Sequence, residues 1–112
     1  MRQIIPFSKD IVFKTNIASI NSISLEHEEN VLNGELCGNF IIYGDYKVHS
    51  DTTETVDFNY KLPFTAILGE DVLFDSVVLD VENFNYEIIE EDVLRIVIEF
   101  SITAEVLESS SQ

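Results

Sequence analysis

A chain of 112 residues with a net charge of −15 is long enough for one hydrophobic core and too short for two. Its apolar fraction of 46% argues against disorder, and no apolar run reaches the roughly 18 residues of a membrane span. Residues 62–112 carry twelve acidic side chains and one basic side chain, a local net charge of −11. This charge disfavours nucleic acid and anionic membranes as partners and favours basic or neutral proteins. A purely solubilising role, which needs no partner, stays open.

The amino-terminal half is patterned as strands. Short apolar runs at 3–7 and 11–14 surround Pro6 and Lys9-Asp10, and a Ser-rich strand follows in which Ile17, Ile23 and Leu25 share a face. Asn33-Gly34 is a strong hairpin-turn signal. From Glu35 to Val48 one face carries Leu36, Gly38, Phe40, Ile42, Gly44, Tyr46 and Val48. Glycines within such a strand indicate a bulge or a close approach of another backbone.

A proline interrupts the next strand-like segment, which follows the polar connector "HSDTTET". Its inward face carries Tyr60, Leu62, Phe64, Ala66 and Leu68. Pro63 lies on the opposite face and has no N–H to donate to a neighbouring strand. The segment is therefore predicted to be an edge strand, or a corner at which the strand bends between sheets.

The last third predicts a wide or brief helical turn in "LGEDVLFDS" and then two long strands. In the first strand the apolar set moves from Val77, Leu79 and Val81 to the alternate phase of Phe84, Tyr86 and Ile88. That one-residue slip predicts a bulge near Glu82-Asn83. After a turn at 90–92, apolar residues alternate regularly from Leu94 to Val106. Because this strand is long, we expect a bend or a change of sheet within it.

These elements predict an all-β fold of seven or eight strands, either a single antiparallel β-sandwich or a partly open β-barrel. The predicted domain covers residues 1–107, and residues 108–112 form a polar tail or the start of a linker. The amino end has no signal-peptide pattern, so a cytoplasmic location is expected.

Catalytic patterns are missing from the sequence. There is no phosphate-binding Gly-rich loop, no metal-spaced His/Cys set and no nucleophile elbow. Cys37 is interpreted as structural. A nucleophilic cysteine needs a base nearby, and nothing in the sequence places His27 or His49 close to it. The "HSDTTETVD" segment, with Asp51 and Glu54, lacks the glycine of a calcium loop. We expect no enzyme activity, no cofactor and no metal.

Apolar side chains on both faces of two strands make candidate partner-binding positions. Ile41 and Tyr43 lie opposite the inward face of their strand. Val93 and Val97 do so in the last strand, with Arg95 between them. Such residues are covered by other elements or form a strip for a partner. Exposed edge strands could also pair with another chain, which leaves a homo-oligomer open.

Nearly the whole chain resembles one known family. Four stretches carry the match in one order: "FSKDIVFK…INSISLEHE" (7–28), "LNGELCGNFIIYGDYKV" (32–48), "YKLPFTAIL" (60–68) and "VVLDVENFNYEIIEEDVLRIVIEFSITAEV" (77–106). They are similar to the amino-terminal domain of spore coat morphogenetic proteins of the stage VI sporulation protein D type, called the SPOCS domain. The family-motif residues that carry a structural role in this resemblance are Gly34, Gly44, Tyr46, Leu62, Pro63, Phe64, Phe84 and Tyr86.

The resemblance implies a non-enzymatic scaffold of the spore coat. Family members act on the mother-cell side, at the forespore surface, where they help coat proteins to encase the forespore. The implied partners are other coat morphogenetic proteins and the basement-layer ATPase. Longer members continue into an acidic region and a LysM module, so this chain is expected to be either a piece of such a protein or a stand-alone member.

A second hypothesis is a cytoplasmic β-sandwich that binds a small ligand or a glycan. Glycan sites usually stack sugars on exposed aromatic rings, and this chain has no Trp. Its four tyrosines could serve, but Tyr46, Tyr60 and Tyr86 are predicted to point inward.

Overall fold

The structure is a computed structural model that describes residues 1–69 and 71–107. Within them the chain forms six β-strands and a single 3₁₀ turn at Phe74–Ser76. The strands are β1 (Arg2–Val12), β2 (Ser19–Leu32), β3 (Glu35–Lys47), β4 (Val56–Ile67), β5 (Val78–Glu90) and β6 (Val93–Thr103). The predicted all-β class is confirmed, as is the brief helical turn in the connector before β5. The polar tail predicted at 108–112 lies outside the described residues.

The strands form two three-stranded antiparallel sheets. One sheet has the order β1-β6-β5 and the other has the order β2-β3-β4. The central strands β6 and β3 carry the largest fully buried side chains, because each has neighbours on both sides and is covered by the opposite sheet. The arrangement is a sandwich-like pair of sheets with open edges and not a closed barrel.

The core lies between the two inward faces and is rich in aromatic rings. Phe40 of β3, which is fully buried, contacts rings from both sheets. Its centroid lies 4.5 Å from that of Phe64 in a stacked arrangement, 5.1 Å from Phe7 and 5.2 Å from Phe100. The alternation that predicted the inward faces of β3, β4 and β6 is confirmed by the buried residues Leu36, Phe40, Ile42, Tyr46, Leu62, Phe64, Leu94, Ile96, Ile98 and Phe100.

The Asn33-Gly34 hairpin is confirmed. Leu32 pairs directly with Glu35, which leaves a two-residue turn. Asn33 has φ = 52° and Gly34 has φ = 76°, the two positive values that a type I′ turn requires. The turn therefore sets the register of the β2–β3 pair.

The glycines of β3 allow the close backbone approach that their position predicted. A Cβ at Gly38 would overlap the carbonyl oxygen of Glu28 and lie 2.9 Å from the ring of Phe64. A Cβ at Gly44 would overlap the carbonyl of Ser22. Because both Cβ positions are directed inward, the backbone of β2 must fold partly over the inner face of β3 at these two levels.

The bulge predicted near Glu82-Asn83 is confirmed. Val81 pairs with Phe100 and Asn83 pairs with Glu99, so one residue of β5 is left over between them. Because of this extra residue, Val81 and Phe84 point to the same inner face although they are three positions apart. A second irregularity lies between Ile88 and Glu90.

The expected strand number is wrong, and of the two alternatives expected for the last strand, a bend or a change of sheet, the change of sheet does not occur. The chain has six strands in its described part, because residues 2–12 form one strand where two short runs were predicted. Lys9 and Asp10 interrupt the apolar pattern without ending β1, since a charged side chain is tolerated on an edge strand that water reaches. The last strand makes no change of sheet, because Val93–Thr103 pairs with β1 along its whole length.

The position of Pro63 decides between the two predicted alternatives. It lies in the middle of β4, which pairs with β3 alone and is therefore an edge strand. Pro6 occupies the equivalent kind of position in β1, the edge of the other sheet.

Candidate interaction surfaces

The five predicted partner-binding residues lie on two opposite sides of the molecule. Ile41 and Tyr43 are on the outer face of β3, whereas Val93, Arg95 and Val97 are on the outer face of β6. Since the two sheets pack through their inner faces, these two groups cannot contact one flat partner together. They are two separate candidate surfaces.

On the outer face of β6 the charge of Arg95 is already engaged. Its Nε donates to Oδ1 of Asp10 at 2.8 Å, and its Nη2 donates to Oδ2 at 3.2 Å. These hydrogen bonds lower the pKa of Asp10 and raise the pKa of Arg95. Val93 is buried while Val97 is exposed, so Val97 is the apolar residue of this group that a partner could cover.

The outer face of β3 is a polar surface with one aromatic ring. Ile41 lies between Glu26 of β2 and Lys61 of β4 in the strand pairing. The hydroxyl of Tyr43 donates to the carboxylate of Glu26 at 2.7 Å. That hydrogen bond, together with the negative charge of Glu26, raises the pKa of Tyr43.

Beside Tyr43 lies a shallow groove of about 470 Å³. Asp45 is its best-organised group, because Ser22 and Asn21 donate to its Oδ1 at 2.6 and 3.0 Å. The hydrogen bonds from Ser22 and Asn21 lower the pKa of Asp45. Asn59 of β4 lines the other side of the groove. The groove offers hydrogen-bonding groups and one ring to a polar ligand.

The family-motif residues occupy positions that shape the fold. Gly34 completes the hairpin turn, and Gly44 admits the backbone of β2. Tyr46, Leu62 and Phe64 are buried in the core, whereas Pro63 is exposed on the β4 edge and Phe84 is half-buried on β5.

Tyr86 is not buried as its predicted inward position implied. It pairs with the fully buried Ile96 and so lies on the inner side of its sheet, yet it is 44% exposed. Ile88, two residues further along the same side, is 37% exposed. β5 is an edge strand, so water reaches this part of its inner face from the side. Spacing alone does not distinguish an inner face that is covered from one that is not, which is why the sequence missed this surface.

The inward side of β2, the edge strand of the other sheet, carries polar groups. His27 and Glu29 pair with Phe40 and Gly38 and therefore share their inward direction. Nδ1 of His27 lies 2.8 Å from a carboxylate oxygen of Glu29. Cys37 is exposed on the outer face of β3.

Among residues 1–69 and 71–107, no group of three His, Cys, Asp or Glu side chains is placed to hold a metal ion. The same residues contain no helix that is long and apolar enough to cross a membrane.

Comparison with known proteins gives no match: no family model, no curated protein and no solved structure is similar to this chain at a significant level. The function must therefore be argued from the sequence motifs and from the surfaces described above.

Proposed function

We propose that this chain is a non-enzymatic protein-interaction domain of a spore coat assembly factor, which acts on the mother-cell side at the forespore surface. Its partners in this proposal are other coat morphogenetic proteins, among them the basement-layer ATPase. The observation that carries the proposal is the order and spacing of the motifs of the SPOCS type along nearly the whole chain.

The places that these motifs take in the fold support the proposal. The glycine of the hairpin turn, the proline of the β4 edge and the aromatic pair of β5 each perform a distinct structural task. A set of residues with separate tasks in one fold is less easily matched by chance than a set of interchangeable apolar positions. These separate tasks therefore support the resemblance on which the proposal rests.

The charge distribution supports a protein partner. β5 and the turn that follows it carry Asp80, Glu82, Glu87, Glu90, Glu91 and Asp92, with no basic side chain among residues 78–92. Arg2 of β1 reaches Glu82 at 2.7 Å, and the other carboxylates named have no ion pair within the part of the chain that the structure describes. Such a surface attracts a basic protein and repels phosphate groups.

The direct test is affinity capture with this domain from sporulating and from vegetative lysates, followed by mass spectrometry. The proposal predicts that coat morphogenetic proteins are enriched only from the sporulating lysate. Enrichment of none of them, or of the same proteins from both lysates, would contradict the coat assignment.

A charge-matched pair of variants tests the electrostatic part. In the first variant, Glu91→Gln and Asp92→Asn neutralise the turn after β5. In the second, Asp71→Asn and Asp75→Asn neutralise the connector between β4 and β5, which lies at the opposite end of β5 from that turn. We expect the first variant to lose captured partner and the second to retain it. Binding by the unmodified domain should weaken as salt rises from about 0.05 to 0.5 M, and a salt-insensitive complex would refute this electrostatic component.

The groove beside Tyr43 favours one alternative, a sandwich that binds a small polar ligand or a glycan. Asp45, Asn59 and the Tyr43 ring provide the hydrogen-bonding groups and the stacking surface that a sugar needs. A thermal-shift screen with sugars and divalent ions separates the two hypotheses. A saturable rise in Tm that Asp45→Asn abolishes would establish the groove as a binding site and count against a pure scaffold.

A further inference from the structure

The two sheets have four edge strands, all within the described residues, and three of them carry a device that hinders pairing with another chain. β1 and β4 contain Pro6 and Pro63, each within the strand. β2 places His27 and Glu29 on its inward side. Prolines, inward-pointing charged side chains and β-bulges are among the means by which natural sheets block their edges, and the irregularities of β5 lie at the two ends of residues 83–88.

The central part of β5 has no such device. Residues 83–88 lie between the two bulges and pair regularly with β6, from Asn83 opposite Glu99 to Ile88 opposite Leu94. They include neither a proline nor a lysine, and their inward side carries only Phe84, Tyr86 and Ile88. Of these three side chains, Tyr86 and Ile88 are partly exposed to water.

We propose that residues 83–88 of β5 are a docking edge for an extended basic segment of a partner protein, which adds a fourth strand to the β1-β6-β5 sheet. The segment would alternate apolar residues with Lys or Arg. Its apolar residues would extend the inner face beside Phe84, Tyr86 and Ile88. This inference rests on the proposed function as an interaction domain and specifies the chemistry of its partner.

The alternation follows from the chemistry of the two sides of β5. Side chains of a strand point alternately to opposite faces, so an added strand presents one set of residues to each side. The inner side of β5 offers apolar surface that is incompletely covered. The outer side offers Asn83, Asn85 and Glu87, flanked along the strand by Asp80 and Glu90. Within residues 83–88 the one carboxylate on this side is Glu87, which lies opposite Arg95, so basic residues of the added strand would be attracted chiefly by Glu87 and by the flanking Asp80 and Glu90.

A second copy of this chain is the less suitable occupant. Pairing of two β5 strands would bring together two edges that each carry Asp80, Glu82, Glu87 and Glu90 and no basic residue. Like charges placed opposite one another across strands are destabilising. The charge of the edge therefore selects a partner of opposite sign.

The experiment uses the full chain and an acetylated, amidated peptide of about eight residues in which lysine and valine alternate. Calorimetry measures its affinity, and amide hydrogen exchange by NMR locates it. We expect saturable binding, with exchange slowed within residues 83–88. A peptide of identical sequence that is N-methylated at every residue keeps the charge but cannot donate backbone hydrogen bonds, so we expect it not to bind.

A matched pair of protein variants tests the location. Tyr86→Lys places an inward-pointing lysine on the β5 edge, and Val56→Lys places one on the β4 edge. Both residues are 44% exposed, and both variants add the same charge. We expect Tyr86→Lys to weaken binding of the peptide by about tenfold or more, because it loses an apolar contact and adds a repelling charge. Val56→Lys should bind as the unmodified chain does.

The inference is overturned if the peptide does not bind, if the N-methylated peptide binds equally well, or if the slowed amides lie outside β5. It is also overturned if the chain self-associates through residues 83–88. If the unmodified domain and the Tyr86→Lys variant both capture coat proteins, docking at the β5 edge is refuted and the proposed function is left intact. Binding of the peptide at β5 without capture of any coat protein would refute the coat assignment alone.

Discussion

Replacement of Phe40 by alanine should be among the most destabilising single changes in this fold. Phe40 is fully buried, and its ring has partners in both sheets: Phe7 and Phe100 in one, and Phe64 in the other. Truncation of a buried Phe to Ala costs about 3–5 kcal/mol, depending on how far the cavity can collapse. Here the cavity is bounded by hydrogen-bonded strands on both sides, which limits collapse.

The aromatic contacts place the expected value at the upper end of that range. Each well-oriented aromatic pair contributes about 0.5–1.5 kcal/mol beyond its buried area. The stacked contact at 4.5 Å is lost along with one tilted and one edge-to-face contact. We therefore expect the free energy of unfolding to fall by about 4–5 kcal/mol. Since small domains have total stabilities of about 5–15 kcal/mol, this loss would leave a marginally folded protein.

The assay is urea denaturation followed by circular dichroism, with Phe74→Ala as the control. Phe74 undergoes the same chemical change but is 72% exposed in the 3₁₀ turn, so its loss should change the stability by less than about 0.5 kcal/mol. A difference between the two variants of less than about 1 kcal/mol would refute the view that the cross-sheet aromatic cluster is the centre of the core.

Three further changes test the edges, the close approach in β3 and the surface ion pair. Pro63→Val should leave the fold intact and promote self-association in sedimentation velocity, because it restores a hydrogen-bond donor to the β4 edge; a folded, strictly monomeric variant would remove the role of Pro63 as an edge guard. Gly38→Ala should lower the free energy of unfolding by at least about 2 kcal/mol in urea denaturation, since its Cβ overlaps the carbonyl of Glu28, and an unchanged midpoint would contradict that approach. The carboxyl of Asp10 has a lowered pKa in the fold. Its contribution to the stability of the fold is therefore fully present above the ordinary pKa of an aspartate, and it is lost as the pH falls through the pKa of Asp10 in the folded protein. The Tm difference between the unmodified chain and Asp10→Asn should therefore shrink between about pH 6 and pH 2.5, and a difference that stays constant over this range would show that the contact with Arg95 does not stabilise the fold.

Local features of the fold could be predicted from short stretches of sequence because each is determined by neighbouring residues. A two-residue turn needs positive φ at both positions, and Asn33-Gly34 meets that requirement without reference to the rest of the chain. The bulge in β5 is recorded in the sequence as a change of phase between Val81 and Phe84. The missing N–H of Pro63 restricted β4 to an edge or a corner, and the sheet order puts it at an edge.

Features that depend on the opposite sheet could not be predicted in this way. The periodicity assigns Ile96 and Tyr86 to the same inner face, and their direct pairing agrees with that. Only the arrangement of the sheets determines that Ile96, in the central strand, is fully buried while Tyr86, at the edge, is not. For the same reason the sequence could not show that the candidate partner-binding residues form two separate surfaces. Outward positions on β3 and β6 are alike in sequence but lie on opposite sides of the molecule.

The acidic residues of β5 link the proposed function as an interaction domain to the proposed docking edge, because they restrict which strands can pair there. An unblocked edge is an aggregation hazard, and two sheets with three blocked edges between them gain little if the fourth edge pairs with any strand. Carboxylates along β5 keep that edge closed to acidic strands, including those of identical copies, while they leave it open to a basic one. A single acidic edge thus provides both protection and selection.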